Sequence, residues 1–221
     1  MKKNYILVEG SDDLAIYRFI IKNIFNMEFE LKNICHDINC EFKGSGGFHN
    51  FKNKLWELLK LHKDENNKIV IDRIGIIGDL DDKNKSERQK ELERIFNNVF
   101  KDYKEEIKLF TFICEDFKEV EFLLKENKIL DSKVADCFYD NFKTSCKNLG
   151  INKYQIEKLA IKYWIDFYLN SYCCKEIDPD EKNCSISRAF NKKNIDKCFD
   201  IQHNKFLDNF EKFLNNFKEQ P

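Results

Sequence analysis

Proline and glycine are scarce, two and seven in 221 residues. A sandwich or barrel of short strands needs turn residues every ~10 positions. Their scarcity argues against that architecture and fits long helices. Long apolar runs are missing too. None approaches the roughly 20 residues of a membrane-spanning helix, so no membrane partner is expected. Nor is there an excess of one charge, with 38 Lys and Arg against 39 Asp and Glu. A dedicated nucleic-acid binder usually carries a basic excess, although acidic metal sites cancel basic patches in such a sum. The nine cysteines are an odd number, and the opening Met-Lys-Lys-Asn leads into an apolar run too short for a secretory signal. This argues against a disulfide framework. It leads us to expect a cytoplasmic protein with reduced thiols.

What the chain does have is apolar residues, at 42%, with 21 phenylalanines to build the core. The run at 4–8 suits a strand buried on both faces. Gly10 permits a turn, and Ser11 or Asp12 can cap the helix that follows. Leu14, Ile16, Tyr17, Ile20, Ile21, Ile24 and Phe25 give that helix an apolar stripe. A second strand is expected within 34–43, then a glycine-rich turn at 44–47 and a helix burying Phe51, Leu55, Leu58, Leu59 and Leu61. That turn is followed by Phe48 and His49, not by the Lys-Ser/Thr pair of a Walker loop, and reads as a tight connection. A third strand over 69–78, a charged helix over 85–101 and a fourth strand over 107–113 continue the alternation. The class implied is α/β, a small four-stranded parallel sheet flanked by helices. Beyond 114 the pattern is helical, at 119–126, 132–148 and 153–169. It ends in a stripe of Phe206, Leu207, Phe210, Phe213, Leu214 and Phe217. We expect an α/β domain over 1–126 and a helical extension over 127–221 packed on it, not an independent domain.

Two of these strands run into carboxylates. The first reads Tyr5-Ile6-Leu7-Val8-Glu9-Gly10-Ser11-Asp12-Asp13, and the later one Gly78-Asp79-Leu80-Asp81-Asp82. Ligands of open α/β sheets bind beyond the carboxyl ends of the strands. Residues two apart in an extended segment point the same way, so Asp79 and Asp81 can share one ion. Glu9, Asp79 and Asp81 brought together would repel, and a hard divalent cation such as Mg²⁺ removes that repulsion. Each motif alone reads as a solvated turn or a helix cap. Both together, directly after buried strands, point to a metal site.

These two motifs resemble those of the Toprim fold. Its first motif is a hydrophobic strand, Glu-Gly, two variable residues and an acid, and its second is a strand followed by Asp-x-Asp. The resemblance covers 4–126. Within Toprim the chain is similar to small stand-alone proteins related to the overcoming-lysogenization-defect nucleases. The pair Gly46-Gly47 and the aromatic C-terminal helix are similar to that group as well. The resemblance implies phosphodiester hydrolysis of DNA or RNA with Mg²⁺ or Mn²⁺. It makes Glu9, Asp79 and Asp81 catalytic, and Glu9, Asp13, Asp79, Asp81 and Glu121 metal ligands. The nuclease branch has a glutamate opening a helix after the fourth strand. Glu119 and Glu121 both fit, and Glu121 is preferred because an apolar run follows it. Such relatives act in phage defence or as toxins, which implies a protein partner from the same system or a homo-oligomer. The alternative within the family is a non-catalytic regulator that binds nucleotide, nucleic acid or a protein partner.

Lys83, Lys85 and Arg88 follow the second acidic motif and are the candidate phosphate contacts. Lys182, Arg188, Lys192, Lys193 and Lys197 form a second basic stretch that reads as a solvated face. Cys173, Cys174, Cys184, Cys198 and His203, and likewise Cys35, His36 and Cys40, fit no compact zinc spacing, and buried thiols are the expectation. His49 and His62 are expected at the surface. A haloacid-dehalogenase-like phosphatase also uses Asp-x-Asp after a strand. Its motif belongs on the first strand with Thr or Val two places on, whereas here Lys83 follows a later one.

Overall fold

A computed structural model of the chain describes residues 3–29, 31–33, 50–63, 68–80, 83–103, 105–114, 120–147, 149–177, 180, 184–192, 194–202 and 204–218. Three strands of six to eight residues form the sheet: β1 (Lys3–Val8), β3 (Ile71–Gly78) and β4 (Lys108–Ile113). All run parallel, with Tyr5 opposite Ile74 and Gly78 opposite Ile113. A short piece, β2 (Leu31–Asn33), pairs with the outer side of β1, so the spatial order is β2-β1-β3-β4. The α/β class and the helix-flanked parallel sheet are as the sequence implied. The second strand was expected within 34–43, which lies outside the described residues. The segment seen beside β1 precedes it.

Both faces of the sheet are buried, because successive side chains of a strand point to opposite sides. Tyr5 and Leu7 join Ile74 and Ile76 under α2 (Asn50–Leu61) and α3 (Lys85–Val99), packed by Phe51, Leu55, Leu58, Leu92 and Phe96. Ile6 and Val8 join Ile77 and Phe112 on the other face. That face is covered by α1 (Ser11–Phe19), α6 (Lys153–Tyr168) and α9 (Lys205–Lys218). The helices between these are α4 (Val120–Glu126), α5 (Lys133–Lys147), α7 (Cys174–Ile177) and α8 (Ile186–Phe190). Single π turns extend α1 over Ile20–Ile24 and link α6 to α7 over Leu169–Cys173.

Phenylalanine builds the α9 contact. The Phe112 ring lies 5.5, 5.0 and 5.7 Å from those of Phe206, Phe210 and Phe213. Gly75 makes this seating possible. A Cβ there would stand 3.1 Å from Phe213 and 3.3 Å from Phe217. Arg73, also on β3, fixes the far end of α9. Its Nη1 donates to the carbonyls of Phe217 and Lys218 at 2.6 and 2.9 Å, satisfying groups that a helix terminus leaves open. The helical second half thus shares the core of the sheet. No helix among the described residues is long and apolar enough to cross a membrane.

His62 is not the surface group expected. Its Nε2 hydrogen-bonds the Tyr5 hydroxyl at 2.6 Å, and the rings stack. Cys173, Cys174, Cys184 and Cys198 are buried, as expected, with 2.7 Å between the sulfurs of Cys174 and Cys184. His49, Cys35, His36, Cys40, Lys182, Lys193 and His203 lie outside the described residues.

Candidate active site

The first acidic motif folds as a strand running straight into a helix. Gly10 takes the extended N-cap position of α1. The Asp13 carboxylate reaches back to accept from the Gly10 N–H at 2.9 Å, satisfying one of the donors that open a helix. The Asp12 side chain turns away from α1 and accepts from the Ser187 N–H at 3.1 Å, in the first turn of α8. The cap expected at Ser11 or Asp12 is therefore Gly10, and Asp12 ties a second helix to the site.

The second motif arrives at the same rim because β3 pairs in parallel with β1. Glu9 Oε1 accepts the Asp79 N–H at 3.2 Å. Glu9 Oε1 also lies against Gly78, where a Cβ would meet it in ordinary contact at 3.4 Å. The backbone after β3 is held from α3. Arg88 donates from Nε to the Asp79 carbonyl at 3.0 Å and from Nη2 to the Leu80 carbonyl at 3.2 Å. Arg88 is buried. Its expected role as a phosphate contact is corrected: its guanidinium is turned inward on the loop that carries Asp79. Lys83 forms a salt bridge with Glu91.

Charge around the rim is uneven. Burial, then the negative charge of Asp79, pushes the Asp13 carboxyl up to about 6, against the pull of Lys162 and the Gly10 N–H. Burial, then Cys114, Asp79 and Asp13, raises the Tyr17 phenol well above its ordinary value. The Tyr17 hydroxyl lies 3.5 Å from Cys114 Sγ, in the buried layer by Asp13. Helix α6 answers with a ladder of charges at helical spacing. Lys158 Nζ lies 3.2 Å from Asp79 Oδ2. Lys162 comes next, in the field of Asp13. Asp166 follows, raised by burial and by Asp12 and lowered by Lys162.

The structure thus brings Glu9, Asp13 and Asp79 to one rim. Asp81 and Glu119 lie outside the described residues. Glu121 is buried at the start of α4, which packs on α6, the helix that carries Lys158. Lys85 opens α3 and is exposed. Reading the sequence alone missed Lys158, Lys162 and Tyr17. The lysines repeat every fourth residue on an amphipathic helix, but nothing local says which face meets the sheet.

The donors present are carboxylate oxygens, the chemistry a hard divalent ion takes. A cation would relieve the repulsion between Asp79 and Asp13. Among the described residues no group of three or more His, Cys, Asp or Glu is arranged to hold a metal ion. No known protein family, curated protein or solved structure matches the chain.

Proposed function

We propose that this chain is a divalent-metal-dependent nuclease of Toprim type, hydrolysing the phosphodiester bonds of DNA or RNA. One observation carries the reading: Glu9 and Asp79, seventy residues apart, meet at the carboxyl ends of adjacent parallel strands with 3.2 Å between Oε1 and the Asp79 amide. Mg²⁺ or Mn²⁺ would be held by Glu9, Asp13 and Asp79 together with Asp81 and Glu121. The chemistry that such an ion supplies is activation of water and neutralisation of the leaving oxygen. The chain's part is to orient the acids. The Asp79 amide aims Glu9, the Gly10 amide aims Asp13, and Arg88 fixes the loop of Asp79. A role in phage defence or as a toxin, in the cytoplasm and with a protein partner, belongs to the same proposal.

The test is a cleavage assay of the purified protein on DNA and RNA with Mg²⁺ or Mn²⁺, beside Glu9→Gln and Asp79→Asn. Metal-dependent cleavage abolished by both substitutions supports the reading, and cleavage that survives both defeats it.

The Lys158–Asp79 ion pair favours a second reading. An ammonium beside Asp79 supplies the charge that a metal would. A non-catalytic Toprim regulator, binding nucleotide, nucleic acid or a protein, needs nothing more there. The two readings part on Lys158→Ala. A metal enzyme gains metal affinity from it, whereas a metal-free regulator loses stability and binds no ion.

A further inference from the structure

Beside the rim lies a groove of about 380 Å³ between the edge strand β4 and helix α9. On α9 it is lined by Lys205, Asn209, Lys212 and Asn216, at i, i+4, i+7 and i+11, so all four lie on one exposed stripe. Lys85 and Thr111 face them from the sheet side. Every polar side chain in that set can donate a hydrogen bond. No carboxylate is found among the described residues of the lining, in a chain with 39 Asp and Glu. The apolar wall includes the half-buried rings of Phe110 and Phe206. The groove reaches Ile113, and the amide of the next residue, Cys114, donates to the Gly78 carbonyl at 3.2 Å, one residue before Asp79. A channel lined by lysines, asparagines and a threonine thus ends at the strand beside the one that leads into Asp79.

We propose that this groove is the track for a single strand of nucleic acid, with phosphates on Lys85, Lys205 and Lys212 and bases against Phe110 and Phe206. This rests on the nucleic-acid reading above and deepens it by placing the substrate. Lysines and amides follow a sugar-phosphate backbone, and rings accept any base by stacking. A duplex is too broad for a channel of this volume. Edge strands also carry lysines merely to block pairing with other chains. Such guards have no need of two asparagines in register with them, nor of a channel ending beside the strand that leads into Asp79.

The experiment is fluorescence anisotropy of a labelled 12-nucleotide single strand in EDTA, which allows binding without cleavage. The proteins are the full chain, Lys205→Glu/Lys212→Glu, and a control of equal charge change, Lys52→Glu/Lys60→Glu. The control lies on exposed positions of α2, across the sheet from α9. We expect the groove variant to weaken binding at least tenfold and the control to weaken it less than threefold. Neutral Lys205→Gln/Lys212→Gln should flatten the dependence of log affinity on log salt by about 0.7 per lysine, and it serves if the double glutamate variant fails to fold. No binding by the full chain, equal losses in groove and control variants, or equal competition by polyglutamate would overturn the proposal. Groove-dependent binding without cleavage in Mg²⁺ or Mn²⁺ would leave the track standing and remove the nuclease. Cleavage with unaltered binding in the groove variant would do the reverse.

Discussion

Glu9 and Asp79 meet across two parallel strands, the carboxylate of one accepting the backbone N–H of the other at 3.2 Å. The contact needs no side chain from Asp79. Substituting the Asp79 carboxylate therefore leaves Glu9 oriented, and Asp79→Asn should report on charge and not on collapse of the rim.

Asp13 offers a stability test. Its carboxyl is raised to about 6 by burial and by Asp79. A raised acid favours the folded state only while protonated, so ionisation above about pH 6 works against folding. Asp13→Asn removes that cost and keeps an acceptor for the Gly10 N–H. We expect the variant to melt higher than the parent at pH 8. Its advantage should shrink as the pH falls from 6 toward 4. Thermal melts across that range check this, and a variant less stable at pH 8 contradicts it.

Lys158 neutralises Asp79. Its removal should strengthen Mn²⁺ binding by roughly three- to tenfold, consistent with the ~1 kcal/mol upper range of a partly exposed ion pair. Calorimetric titration of Lys158→Ala measures it, and weaker binding would show that the lysine orients the acid instead of competing for it.

Gly75 admits the α9 phenylalanines. An added methyl would meet Phe213 at 3.1 Å, Ile6 at 3.2 Å and Phe217 at 3.3 Å. Gly75→Ala should cost about 1–3 kcal/mol by overpacking, read as a lower urea midpoint. No change would mean that α9 can move away freely.

Much of the fold was legible because its signals are local. The mostly apolar runs at 4–8 and 69–78 suit buried strands, and the Phe206-to-Phe217 stripe suits one side of a helix. The acidic rim followed from topology, since parallel strands put their carboxyl ends side by side. What stayed hidden depends on docking. Arg88 looks like any surface arginine after an acidic loop, yet α3 turns it inward on two carbonyls. Lys158 and Lys162 meet the rim only because α6 crosses it. His62 is half-buried and bonded to Tyr5, a residue 57 positions earlier in the chain.

Mn²⁺ titration, followed by the loss of the free ion's electron paramagnetic resonance signal, tests most directly whether acids distant in sequence gather round one divalent ion. We expect the unaltered chain to bind Mn²⁺ stoichiometrically, and Glu9→Gln and Asp79→Asn each to bind it at least tenfold more weakly. Equal binding by all three proteins, or none by the unaltered chain, would contradict it.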